Sequence, residues 1–232
     1  MELIWQGFLQ AFRLIVQGDP ELMGIMGLSL MVSGIATVSS LLLGIPLGTV
    51  IGLGRFPGRG LVLSLVNTGM GLPPVVVGLF VSIFLWRSGP LGVLQLLYTP
   101  TAIIIAQFII AFPVVTGLTV AAMQQVDPRF RLQLLGLGAS RVQLLWQLLR
   151  ETRLPMLAAV MAGFGAVISE IGASLMVGGN ILGYTRVMTT ATVLETAKGN
   201  FDVAIALSVI LLGITFLINW GLTAIQQRGG AG

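Results

Sequence analysis

Between Glu21 and Arg55 the chain runs for 33 residues without a charge, and between Arg59 and Arg87 for another 27. A helix needs about 20 mainly apolar residues to cross the hydrocarbon core of a bilayer, so runs of this length point to a membrane. Arg87 to Asp127 encloses 39 more uncharged residues, which Ser88-Gly89-Pro90 and Thr99-Pro100 divide into a loop and a span. Residues 154–185 hold only Glu170, and residues 203–227 hold no charge. Spans are accordingly predicted near 22–53, 61–85, 101–123, 155–178 and 203–224, five in all. The whole chain, 232 residues, is 56% hydrophobic and 9% charged, against about 25% charged in a typical soluble domain. That balance excludes a soluble globular domain, and the length fits one compact unit. There is no Cys and no His, which removes disulfides, Fe–S clusters, thiol nucleophiles, His bases and the commonest zinc ligand. A net charge of +4, thinly spread, does not make a nucleic-acid surface.

The first span is too long for a straight crossing at roughly 1.5 Å per residue. It is expected to tilt, to extend into the headgroups or to bend at Pro46. Gly44, Gly48 and Gly52 form a small-xxx-small ladder that admits a close neighbour. Pro73-Pro74 in the second span and Pro113 in the third free carbonyls that other helices or water must satisfy. Ordinary kinked helices and helices lining a pathway both fit these prolines. Residues 1–20 read as an amphipathic helix lying at the membrane surface, with Trp5, Phe8, Leu9, Phe12, Ile15 and Val16 at helical spacing and Glu2, Gln6, Arg13 and Gln17 between them. With no basic leader and no small-residue cleavage site, the segment does not read as a signal peptide. Residues 21–232 then form a single transmembrane domain.

Five spans place the termini on opposite sides, and basic residues favour the cytoplasm. With the loop 124–154 inside, that side holds Arg55, Arg59, Arg129, Arg131, Arg141, Arg150, Arg153 and Arg228. The outside holds Arg13, Arg87, Arg186 and Lys198. This bias predicts a multi-pass protein of the cell membrane with its N-terminus out and its C-terminus in. Within the loop, Asp127-Pro128 suits a helix start. Leu132, Leu135, Leu144, Leu145, Leu148 and Leu149 recur at helical spacing around Gly136-Leu137-Gly138-Ala139-Ser140, and Ser140 can cap a second helix. A helix–turn–helix presented to a cytoplasmic partner fits this pattern, as does a basic loop that only fixes topology.

Gly138-Ala139-Ser140 followed by Leu154-Pro155 resembles the cytoplasmic signature loop of bacterial ABC-importer permeases. Leu132-Gln133-Leu134 stands where that family has Glu-Ala-Ala, and the interval to Leu154-Pro155 is about one helical turn longer than usual. A second stretch, Ser169-Glu170-Ile171-Gly172-Ala173-Ser174 through Gly178-Gly179-Asn180-Ile181 and on to Gly183-Tyr184-Thr185-Arg186, is similar to molybdate permeases and closer to the tungstate type. The resemblance covers residue 22 to the C-terminus. It implies an all-α integral membrane protein of the type I ABC-importer permease fold, with five transmembrane helices, an N-terminal amphipathic helix and a cytoplasmic coupling helix. It implies a transport subunit rather than an enzyme, with no cofactor of its own. The partners implied are a second copy of the chain, two ATP-binding cassette subunits that bind ATP and Mg, an extracytoplasmic binding protein and membrane lipid, with no nucleic acid. The cargo implied is an oxyanion, tungstate first and molybdate or another oxyanion as the alternative. A passive channel or structural subunit explains the spans but not the structured loop. Coupling to the ATPase falls, on this resemblance, to Arg131, Leu132, Gln133, Gly136, Gly138, Ala139, Ser140 and Arg141.

Glu170 is the only ionisable residue inside a predicted span, 15 residues after Pro155 or roughly 22 Å along an ideal helix. Intramembrane charges are costly and face the protein interior. Ala158, Ala162, Ala166, Glu170, Ser174 and Gly178 recur every four residues and predict one small-residue face against another helix. An ionised Glu170 would repel a passing oxyanion, so its carboxyl is expected to be protonated or hydrogen-bonded between helices, as a structural or gate group. Ser169, Glu170, Gly172, Ser174, Thr37 and Ser40 are the candidates for pathway or gate. Further hydroxyls at Ser33, Thr68, Thr116 and Thr119 serve either an anion or their own helix carbonyls. Asn180, Gly183 and Arg186 on the outer loop either receive the ligand or form a turn. A membrane enzyme would need a paired nucleophile and base, which one buried carboxylate does not provide.

Overall fold

The computed structural model describes residues 2–230, and among them every regular element is helical. Met1, residues 231–232 and the side chains of Glu2 and Arg228, both counted above, lie outside the described residues. Helix α1 (Glu2–Gln17) turns at Gly18, whose φ is +62°, into α2 (Pro20–Leu53). Asp19 starts α2 by accepting the Leu22 N–H at 2.9 Å. The second predicted span consists of α3 (Arg59–Met70) and α4 (Pro74–Leu85). Helix α5 (Pro100–Gln124) follows, then α6 (Pro128–Gly136) and α7 (Arg141–Glu151). The chain ends with α8 (Arg153–Ile168), α9 (Gly172–Gly178), α10 (Met188–Lys198) and α11 (Phe201–Gly230).

Helices α2, α5 and α11 are each long and apolar enough to cross a membrane alone. Pro46 and Pro113 lie inside α2 and α5 without ending either helix. The glycine ladder of α2 seats on α5. A Cβ at Gly44, Gly48 or Gly52 would stand 2.9 Å from Val115 Cγ1, 2.7 Å from Thr116 O or 2.7 Å from Met123 Cβ respectively. Only the missing side chains let the two backbones come this close.

Two predicted spans need correction, because each is two half-helices. The span 61–85 breaks at residues 71–73 with a 100° bend. Pro74 has no N–H to donate and sits at the first position of α4, where that loss is harmless. The span 155–178 breaks at residues 169–171, so the small-residue face is not continuous. Ala158 and Ala162 are exposed, and the side of α8 that is buried carries Ala159, Gly163 and Val167. Gly163 meets Val115 of α5.

Three apolar clusters hold the bundle. Ala11, Leu22, Ile25, Met188, Leu207 and Ile210 join α1, α2, α10 and α11 at one end. Val77, Val81, Ile103, Ala106 and Val177 join α4, α5 and α9 in the next layer. Met123, Leu144, Leu148 and Met156 fix α7 under α5 and α8 at the opposite end. Gly7 of α1 lies against Ile205. The amphipathic helix is therefore docked along α11, while Trp5, Phe8, Phe12 and Val16 stay exposed as lipid-facing apolar surface. The residues left as an outer loop contain α10, whose first turn is buried and whose Met188 N–H donates to Ser29 Oγ at 2.8 Å.

Candidate functional site

The break between α8 and α9 contains no proline, and side chains take over the ladder there. Ser169 Oγ donates back to Gly165 O at 2.7 Å. Glu170 Oε1 accepts the Ala173 N–H at 2.7 Å, which caps the first turn of α9. Two carbonyls at the break also take side-chain donors from other helices. Val167 O accepts from Gln107 Nε2 at 3.2 Å, and Glu170 O accepts from Thr189 Oγ1 at 2.8 Å. Buried backbone groups require this kind of satisfaction, and here the break's own side chains, α5 and α10 supply it. Glu170 itself is 7% exposed.

The two breaks are neighbours. A Cβ at Gly78 would stand 2.7 Å from Ala173 Cα, and a Cβ at Gly172 would meet Val75. Helices α4 and α9 thus begin side by side, each at the broken midpoint of its span. No Arg or Lys lies in either break, and the first-turn N–H groups of α4 at Val76 and Val77 already bond Pro73 O. The carboxyl of Glu170 likewise occupies the Ala173 N–H of α9. Ser174, one turn into α9, is 1% exposed, and its hydroxyl has no partner.

The other pathway candidates divide. Ser40 Oγ reaches Phe108 O of α5 at 3.4 Å, one residue from Gln107, so it touches the opposite side of the helix that clamps the break. Thr37 donates to Ser33 O at 2.7 Å within its own helix. Thr68, Thr116 and Thr119 do the same with Ser64 O, Phe112 O and Val115 O. Gln107 and Thr189 were missed by the sequence reading. Gln107 had a signal, since it is the single carboxamide inside 101–123.

At the opposite end, Asp127 starts α6 by accepting the Arg129 N–H at 2.8 Å. Gly138, with φ +79°, makes the turn into α7. There Ser140 Oγ accepts the Gln143 N–H at 3.3 Å and the Ser140 N–H donates to Gln143 Oε1 at 2.8 Å, a complete capping box. Leu144 and Leu148 anchor α7, whereas Arg131, Leu132, Gln133, Gly136, Gly138, Ser140 and Arg141 are exposed and Ala139 is half-buried. Leu132, Leu137, Val142 and Trp146 are 67%, 85%, 77% and 65% exposed. These four apolar side chains are spread over α6, the turn and α7.

The outer segment closes as a turn. Asn180 has φ +51° and Gly183 φ +72°, and Thr185 Oγ1 donates to Gly178 O at 2.6 Å while accepting the Ile181 N–H. Arg186 reaches Glu21 at 3.5 Å, tying this turn to the start of α2. On α10, hydrogen bonds from the Lys198 and Asn200 side chains hold the Glu195 carboxyl below its usual range.

Residues 44–229 match the family described as "Binding-protein-dependent transport system inner membrane component". The chain is 40% identical over 228 residues to a tungstate uptake system permease protein of Peptoclostridium acidaminophilum, spanning 98% of this chain and 100% of the relative. It is 40% identical over 203 residues to a probable anion ABC transporter permease protein of Haloferax volcanii, spanning 85% of this chain and 88% of the relative. Among solved structures, a chain of the MetNI methionine ABC transporter in inward-facing conformations matches with a TM-score of 0.75. That match spans 90% of this chain and 95% of the other at 17% identity, a likeness of fold alone.

Proposed function

Because the chain belongs to the family of binding-protein-dependent transport system inner membrane components, we propose that it carries an oxyanion, tungstate foremost, across the cell membrane. It is the permease of an ATP-driven importer, and the work of hydrolysis belongs to a separate subunit that binds ATP and Mg. The 40% identity to a tungstate uptake permease over the full length of that relative carries the choice of ion, and the Ser169–Arg186 stretch supports it. The bare break supports a weakly held anion. No fixed cation lies there, so affinity and selectivity fall to an extracytoplasmic binding protein. Ser169, Glu170, Gly172 and Ser174 form the gate region in this reading, and Ser40 braces it through α5.

The exposed face of Leu132, Leu137, Val142 and Trp146 supports a coupling segment that seats on the ATPase, with the basic end of the molecule in the cytoplasm and the N-terminus outside. A second copy completes the pathway. Helix α3 buries no residue in the lone chain, and Ala158 and Ala162 of α8 are uncovered.

The test is uptake of radiolabelled tungstate into vesicles holding the permease and its ATPase, with the binding protein and ATP supplied. Tungstate should accumulate only when all components are present, and excess unlabelled molybdate should compete more weakly than unlabelled tungstate. Accumulation without ATP would make the chain a passive channel. Stronger competition by molybdate would reassign the ion.

A further inference from the structure

A cavity of about 300 Å³ opens between the α2–α3 turn and the first turn of α6. Arg55 and Arg59 line it from the turn, Arg131 and Asp127 from α6, and Leu148 from α7. Arg59 is committed to the end of α2, where its Nε donates to Ile51 O at 2.9 Å and its Nη2 to Gly52 O at 3.5 Å. Arg55 and Arg131 are exposed and make no ion pair among the described residues. The carboxylate of Asp127 accepts the Arg129 N–H and forms no salt bridge with any of the three. Arg55 and Arg131, neither of them ion-paired, thus line one concave space together with the charge of Arg59, against a single carboxylate. Their mutual repulsion is relieved by an anion, and their planar donors match the oxygens of a phosphate-like group. The first turn of α6 at Asp127-Pro128 lines the same space together with the C-terminal ends of α2 and α5, so the arginines and not a helix end would hold the anion.

We propose that this cavity binds a tetrahedral oxyanion group, either the phosphate of an anionic lipid headgroup or a free phosphate-class ion. A bound anion would bridge the α2–α3 turn to α6, and so tie the membrane helices to the segment that carries the exposed apolar face. The proposal concerns a site at one end of the molecule, apart from the broken spans, and does not depend on which ion is carried.

The full-length chain, purified in neutral detergent, is titrated with dioleoyl phosphatidylglycerol against dioleoyl phosphatidylcholine. It is titrated separately with inorganic phosphate against sodium chloride at matched ionic strength. Binding is read by the melting shift and, for lipid, by the number retained in native mass spectrometry. The doubly substituted Arg55→Gln/Arg131→Gln protein should bind about tenfold more weakly, since two charge-assisted contacts are lost. Arg150→Gln, an exposed arginine at the same end outside the cavity, should bind as the unsubstituted chain does. Binding of phosphatidylglycerol alone assigns the site to a lipid headgroup, and binding of phosphate alone assigns it to a free ion. If the double variant melts early without ligand, each single variant is titrated instead and should show a partial loss. Undiminished binding in these variants overturns the proposal, as does an equal loss in Arg150→Gln. Loss of ATPase association with both ligands still bound would also overturn it, by assigning the arginines to the partner. None of these readouts requires transport, so failure here is distinguishable from failure of the tungstate reading.

Discussion

Glu170 and Glu195 show how differently two carboxyl groups are used in one chain. Glu170 supplies the acceptor that starts α9, so Glu170→Gln retains an oxygen for the Ala173 N–H and should keep most of the melting temperature and uptake. Glu170→Ala leaves that buried donor unpaired, at a cost of about 1–3 kcal/mol, and should lower the melting temperature and leave the gate leaky. Equal damage from Gln and Ala would show that the negative charge, and not the cap, is what the position needs. Glu195, outside the spans, is ionised more readily when folded than at its ordinary value of 4.5, because Lys198 and Asn200 donate to it. A lowered folded value means that its stabilising contribution is complete above the ordinary value and fades as pH falls through the folded one. Melting curves of the native protein and Glu195→Gln should therefore differ near neutral pH and converge in acid once the folded value is passed. A difference that persists undiminished to the acidic limit would contradict the pairing.

Helices α6 and α7 were legible because their signals are local. Asp127-Pro128 and Ser140 with Gln143 are caps written in the sequence, and both were found where the residues place them. The α8–α9 break was not legible, since its cause is distant. Ser169 and Glu170 can compete with the helix ladder, but Gln107 and Thr189, which donate to carbonyls at the break, come from α5 and α10. The Pro73-Pro74 break was half legible. The prolines announced an interruption, and the 100° angle came from where α3 and α4 each find a neighbour. Two glycines test the turn at this scale. Gly138 has φ +79° with nothing within 4 Å of a Cβ, so its constraint is backbone conformation and not space. Gly138→Val should leave the protein inserted in the membrane while abolishing uptake and ATPase association. Gly136→Ala, in ordinary helical backbone and equally open surroundings, should preserve both. Normal uptake by Gly138→Val would reduce the segment to a topological device.

For the whole molecule, the described basic residues fall at two ends. Arg59 closes the end of α2, Gln226 of α11 donates to Leu154 O at 3.4 Å, and α6–α7 lie beside them at the basic end. Arg186 and Lys198 gather with Glu21 and Glu195 at the other end. The account requires the basic end to face the cytoplasm and the turn 180–186 to face outward. The chain has no cysteine, so single cysteines report without background. Val142→Cys on the exposed face of α7 and Leu182→Cys in the outer turn are both accessible positions. In intact cells, a membrane-impermeant maleimide should label position 182, and should reach position 142 only after the membrane is opened. Labelling of position 142 from outside would contradict the orientation and, with it, the seating of α6–α7 on an ATPase.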